Sequence, residues 1–451
     1  MGVTEQFCQV LAAMTSRSIS PAAMRAASGL MLDGIAVAMA GSRETAPRIF
    51  AEHLRSLGAA GQSTALNFGF RTTAVAAARL NGASMHVLDY EPMWNPPTHA
   101  LSTTLPAVLA LGESLDADGR EILAALIKGI EAHGRLRAAS QQYEPRGLLF
   151  HPPGVAGPIG SAVAASHLLN LGLEQVRNAI GIAASCAGSL LANVGTMTKC
   201  LHCGNAAAAG LDAALLASRG MNANRDVIEA ANGFAEAFFD ESWDPRPLIT
   251  NDAPLRILEP GYAIKMFPSQ YATHFVVLAA LDARQRIPPD ETITFVEIVG
   301  PVMPYVDRPR PSSGLEAKFS FQYAAASALL DGTVGIETFT DGRCGRTDVA
   351  AILSKTKLVQ STDIPATLDG MWVEITVKLR DGKPVTAKCA RPRGAWGFPV
   401  SRQEHLVKVR ECLKLALSDI DTHRVIESLE DFERLRPRDV HALMRRLGAF
   451  Q

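Results

Sequence analysis

An excess of charge of either sign is missing from this chain. Its 44 Lys and Arg are balanced by 45 Asp and Glu, for a formal net charge of −1 over 451 residues. Without a basic face, a nucleic-acid partner is not expected, and attraction for an anion has to be local. The opening residues, Met-Gly-Val-Thr-Glu-Gln-Phe, lack the basic-then-apolar pattern of an export signal. The seven cysteines are odd in number, which with no export signal points to reduced thiols and a cytoplasmic location. Cys200-Leu-His-Cys203 has no second Cys-x-x-Cys to complete a four-ligand zinc site. Gly154, Gly157 and Gly160 are spaced three apart, which is not the dinucleotide fingerprint, and neither a P-loop nor a zincin motif occurs.

Two stretches, 147–173 and 178–198, carry no Asp, Glu, Lys or Arg. Each is long enough to cross a bilayer. Both are sprinkled with Gly, Ser, Asn or His, so they are expected as buried helices of a helical domain and no membrane partner is expected. Gly181, Gly188 and Gly195 recur every seven residues, which would align small residues on one helix face.

At about 150 residues per domain, the length suggests two or three domains. Residues 1–265 are Ala-, Leu- and Gly-rich with apolar positions at three- and four-residue intervals, as over 23–41, 104–115, 120–135 and 205–219. Asp116 or Asp118 is placed to begin the third of these. Near residue 290 the texture changes. Residues 292–299 and 372–379 alternate and are β-branched, and Asp381-Gly382 turns the second run back along 385–390. A helix from Phe319 to Leu330 is closed by Asp331-Gly332. The expected organisation is a helical domain over 1–265, an α+β domain over 266–398, and C-terminal helices over 399–451 that pack back on the first.

The densest chemistry lies in 86–106. His86, Asp89, Glu91 and His99 share a segment that Pro92, Pro96 and Pro97 keep out of helix. A rigid loop between helices is a common place for catalysis. Four other segments pair polar groups with glycine or proline, or close on a tyrosine. They contribute His151, then Lys199 with His202, then Lys265 with Ser269 and His274, and finally Tyr323. Each has an ordinary use too: His99, His151 and His274 at helix starts, Asp89 in a turn, the lysines on the surface, Tyr323 in a core. Taken together they suggest a pocket for a small polycarboxylate. Lysines and imidazoles would hold carboxylates by charge-assisted hydrogen bonds. A histidine or carboxylate would move a proton at the adjacent carbon. Cationic groups would stabilise the resulting enediolate.

These landmarks resemble the MmgE/PrpD family over nearly the whole chain. They are Leu-Asp-Tyr followed by Pro-Pro-Thr-His at 88–99, Phe-His-Pro at 150–152, Gly-Thr-Met-Thr-Lys at 195–199, Ile-Lys-x-Phe-Pro at 264–268 and Glu-Ala-Lys-Phe-Ser-Phe-Gln-Tyr at 316–323. The family includes 2-methylcitrate dehydratase, cis-aconitate decarboxylase and iminodisuccinate epimerase. The resemblance implies a large helical domain with a smaller α+β lid, a homodimer, and a lyase or epimerase that uses no metal or organic cofactor. It places Asp89, His99, His151, Lys199, Lys265 and Tyr323 in the active site. On this reading His99 transfers the proton and Asp89 orients it, while Lys199 and Lys265 hold substrate carboxylates and stabilise the enediolate. His151 is a second acid or base, and Ser269 and His274 are further substrate contacts. Met93 stands where the decarboxylase branch has threonine, and Asn95 where it has histidine. Two rivals are a non-catalytic carboxylate-binding scaffold and a thiol or metal protein built on Cys200, His202 and Cys203.

Overall fold

The computed structural model describes residues 1–144, 147–239 and 241–449. The chain is mainly helical with a smaller α/β part. Pro21–Gly41, Ala100–Ser114 and Gly119–Ala139 form the centre of one apolar core. Asp118 caps the last of these, accepting from the Glu121 N–H at 2.9 Å. The C-terminal helices Arg402–Lys414, Asp419–Glu430 and Pro437–Leu447 complete that core with Leu406, Val409, Val425 and Leu443.

A second core joins Val3–Ala13, Pro152–Leu168, Leu173–Ala184 and Thr198–Ser218. Pro152 and Pro153 start their helix instead of breaking it, because the first turn has no hydrogen bond for proline to lose. Glycine lets this layer close tightly. A Cβ on Gly204 would lie 2.2 Å from the Arg79 carbonyl oxygen, and one on Gly210 would lie 2.1 Å from that of Pro158. Thr198–Ser218 therefore sits directly on Ala74–His86 and on Pro152–Leu168, and its N-terminus is held beside His86 and His151.

Pro21–Gly41 and Thr198–Ser218 are long and apolar enough to cross a membrane, and most of each is buried inside the fold. The charge-free run 178–198 is not one helix. It leaves the helix after Ala184, and only the short turn Leu191–Asn193 follows before Thr198. Ser189 and Gly195 take left-handed backbone angles there, φ 80° and 96°, so Gly188 and Gly195 share no helix face with Gly181. Its freedom from charge reflects a different duty: Leu190, Leu191 and Val194 wall a cavity.

The α/β part holds a four-stranded sheet in the order Thr356–Ser361, Ile293–Pro301, Val373–Leu379, Pro384–Cys389. The first pair is parallel and the others are antiparallel, with Ile298 opposite Ile375 and Val377 opposite Val385. Val373, Ile375 and Val377 bury one face against Thr273–Arg286. Thr356–Ser361 went unseen in the sequence because it is a half-buried edge strand with no alternation of polar and apolar residues. Phe321–Asp331 ends where Gly332 adopts φ 68°, a left-handed cap that glycine takes without strain.

Candidate active site

The site collects residues from the ends of several helices. His86 ends Ala74–His86, and the loop that follows carries Asp89 and Glu91. His99 is the cap residue of Ala100–Ser114 and His151 that of Pro152–Leu168, while Lys199 lies in the first turn of Thr198–Ser218. These three helices have no acidic residue of their own in their first turns, and their positive ends face the same space.

Asp89 is the hub. Its backbone turns through φ 51°, a left-handed conformation that aspartate tolerates better than most residues. Lys199 Nζ donates to Oδ2 at 2.7 Å, and Lys265 Nζ donates to Oδ1. Burial alone would raise the Asp89 carboxyl, but the two ammonium groups override it and hold it well below the usual carboxylate range. Lys265 is fully buried, and burial lowers it while Asp89 opposes the shift.

The imidazoles cluster beside this hub. The His86 ring centroid lies 4.7 Å from that of His99 and 5.5 Å from that of His151, and His151 is 5.3 Å from His202. Glu91 Oε1 bonds His86 Nδ1 at 2.5 Å, accepts from Ser102 Oγ at 2.9 Å and lies 3.1 Å from His99 Nδ1. Asp89 Oδ1 is farther from His99, 3.8 Å from Nε2. Glu91 is therefore the nearer carboxylate to His99, with Asp89 beyond it. Burial, with Lys199 adding to it, lowers His86 and His202 to about 4 and holds His151 well below the imidazole range. The Nδ1 atoms of His151 and His202 face each other at 3.2 Å, a contact that holds one proton between them.

Two cavities meet at Asp89, Lys199 and Phe319. One of about 790 Å³ also exposes His99, His151, Arg137, Arg308, Gln270 and Tyr305. A smaller one of about 350 Å³ is lined by His86 and Lys318. The larger lies within the size range of small-molecule sites.

Asp89, His99, His151, Lys199 and Lys265 thus come together. Three expected residues do not. Tyr323 is buried in the α/β core, its hydroxyl donating to the Thr338 carbonyl at 2.6 Å. Ser269 is paired with Thr273 Oγ1 at 2.7 Å, and His274 is packed between Phe267 and Tyr271. None of the three lines either cavity. Two other tyrosines do, Tyr271 and Tyr305, and Tyr305 accepts from Gln270 Nε2 at 3.2 Å. Tyr305 sits in a one-turn helix after proline, with nothing around it in sequence to mark it. Arg308, stacked 5.4 Å over Phe319, and buried Arg137 were missed for the same reason. Lys318 was hidden inside a motif. It donates to the carbonyls of Leu88 and Pro268, and burial lowers it to about 8. Of the two departures, Met93 lines the larger cavity, whereas Asn95 borders a separate one beside Arg256.

Cys200, His202 and Cys203 do not converge. Cys200 Sγ bonds the Met197 carbonyl, His202 turns to His151, and burial near Glu91 raises the Cys203 thiol. Two other groups bring their donor atoms within 4.8 Å of one another, His86–Glu91–Cys203 and Asp89–Glu91–His99. In the second, both Asp89 oxygens are already taken by lysines.

Comparison with known proteins agrees with this architecture. The MmgE/PrpD N-terminal domain matches residues 5–246 and the MmgE/PrpD C-terminal domain matches 267–434. Cis-aconitate decarboxylase of Mus musculus is 33% identical over 447 residues, covering 96% of this chain and 91% of the relative. That of Homo sapiens is 35% identical over 370 residues, covering 79% and 77%. A cis-aconitate decarboxylase of Aspergillus terreus is 26% identical over 458 residues, covering 95% and 92%. With both domains matched in order and relatives spanning nearly its full length, the chain belongs to the MmgE/PrpD family.

Proposed function

We propose that the protein is a lyase acting on a small di- or tricarboxylic acid, and that its reaction is the decarboxylation of cis-aconitate by proton transfer at carbon without a metal or organic cofactor. The observation that carries this reading is Asp89 gripped by Lys199 and Lys265 with His99 beside it, on the wall of one cavity. The names of the relatives favour the choice of acid.

The chemistry follows from the charges. Lys199, Arg308 and Arg137 offer fixed cations to the carboxylates of the substrate. Loss of carbon dioxide breaks the bond between an allylic carbon and its carboxylate. The electron pair moves through the double bond into a remaining carboxylate, forming an extended enediolate. Lys199 and the helix N-termini stabilise that charge in place. His99, oriented by Glu91, delivers a proton to the carbon at the far end of the allylic system, and the product carries a terminal methylene. Tyr305 is a second donor on the same wall.

The test is NMR of the purified protein in deuterated water with cis-aconitate, citrate, 2-methylcitrate and iminodisuccinate. The expected result is consumption of cis-aconitate with one deuterium entering the product, unaffected by dialysis against a chelator. Consumption of a different acid overturns the choice of substrate, loss of activity on chelation overturns cofactor independence, and consumption of none leaves the binding scaffold as the better reading.

A further inference from the structure

A cavity of about 700 Å³ lies in the helical body and shares no lining residue with the two cavities at Asp89. It is enclosed by Val3–Ala13, the start of Gly119–Ala139, Pro152–Leu168 and Leu173–Ala184. Its walls include Leu11, Met14, Val163, Leu171 and Val176. Lys128 opens into it, with 9% of its surface exposed, and makes no hydrogen bond or ion pair among the described residues. Ser166 lines the same cavity, and its buried hydroxyl also has no partner.

A buried ammonium group is costly unless an anion or an acceptor answers it. Glu121 offsets part of that cost through space, but no acid pairs with Lys128 directly. Asp118 caps its own helix. Asp116 Oδ1 bonds His441 Nε2 at 2.6 Å, and Glu121 Oε2 bonds His167 Nε2 at 3.0 Å. Each acidic side chain at the rim has a partner of its own, and Lys128 has no direct one among the described residues. Burial already lowers Lys128 to about 8, so its charge is retained at neutral pH at a cost that a bound anion would remove.

We propose that this cavity is a second small-molecule site that binds a monocarboxylate with an apolar tail, its carboxylate on Lys128 and Ser166 and its tail against Leu11, Val163 and Val176. A single ammonium group with one hydroxyl suits one negative charge, which separates this ligand class from the polycarboxylate of the catalytic cleft. The inference is independent of which reaction the cleft performs.

Calorimetric titration of the full-length protein with octanoate, 1-octanol and acetate tests it. Octanoate is expected to bind saturably at one site, with octanol and acetate at least about tenfold weaker, the usual worth of one charge-assisted hydrogen bond. Lys128→Met should lose octanoate binding while turnover stays unchanged, and Lys128→Arg should restore it. Lys199→Met should leave octanoate affinity intact, since that lysine belongs to the other site. Leu171→Trp, which fills the cavity from a loop, gives a second variant that should abolish binding. Octanol binding as tightly as octanoate, wild-type octanoate affinity in Lys128→Met or Leu171→Trp, or no saturable binding at all would overturn the proposal.

Discussion

Two buried aspartates in this molecule are each held by a buried lysine, and they do opposite things. Asp33 accepts from Lys408 Nζ with both oxygens, at 2.9 and 2.8 Å, and from His405 Nε2 at 2.8 Å. Lys408 spends a further donor on the Tyr90 carbonyl at 2.8 Å. That cluster borders none of the larger cavities and ties the C-terminal helices to Pro21–Gly41. Asp89 meets two lysines, and its neighbours Glu91 Oε2 and His86 Nε2 are left without partners. The first cluster is saturated and faces protein. The second is left partly unsatisfied and faces a cavity. The teaching is that residue type does not separate a clamp from a reaction centre; unspent hydrogen-bonding capacity beside open space does.

Substitution of each lysine is the strongest way to break the comparison. Lys199→Met is expected to cut turnover at least about 10³-fold, on the scale of losing a positioned electrostatic stabiliser, with the melting transition retained. Lys408→Met should do the reverse, costing about 3–5 kcal/mol of stability in denaturant titrations because it leaves Asp33 buried and unpaired. Folded Lys408→Met should turn over normally. His99→Ala comes next, with turnover lower by about 10²–10⁴-fold and substrate affinity changed far less.

Acid sharpens the contrast further. His86 and His202 have folded values of about 4, below their ordinary 6.5, so the unfolded chain binds more protons between those two values. Stability is therefore expected to fall steadily as pH drops from 6.5 to 4, and a bound polycarboxylate should flatten that slope. Thermal melts across this range, with and without substrate, check it. A smaller effect separates the tyrosines. Tyr305→Phe should lower turnover with little change in melting temperature. Tyr323→Phe should cost about 1 kcal/mol of stability, one hydrogen bond to Thr338, and leave turnover alone. The smallest effect is expected at the two departures. Met93→Thr should change the Michaelis constant by a few-fold, and Asn95→His, facing Arg256, should leave it unchanged; steady-state kinetics separates them.

Much of this site could be seen in the sequence because its groups are clustered in short proline- and glycine-bearing segments. Asp89, Glu91 and His99 fall within eleven residues, His151 lies inside one charge-free run, and Lys199 follows the other. Helical periodicity likewise revealed Pro21–Gly41 and Gly119–Ala139. What stayed hidden depends on which way a side chain turns. Tyr323 and Tyr305 are both tyrosines of the α/β part, and nothing local says that one finds the Thr338 carbonyl while the other finds the cavity. Glu91 lies nearer His99 than Asp89 does, while the left-handed turn at Asp89 aims its carboxylate at the lysines.

The convergent starts of Ala100–Ser114, Pro152–Leu168 and Thr198–Ser218 carry a consequence for the working range of the protein. Peptide dipoles have no proton to lose. Lys318, lowered to about 8, can be neutralised by alkali, but the backbone share of the attraction persists at every pH at which the helices exist. The grip on an anion therefore has a floor set by main-chain geometry, beneath the part that titrates.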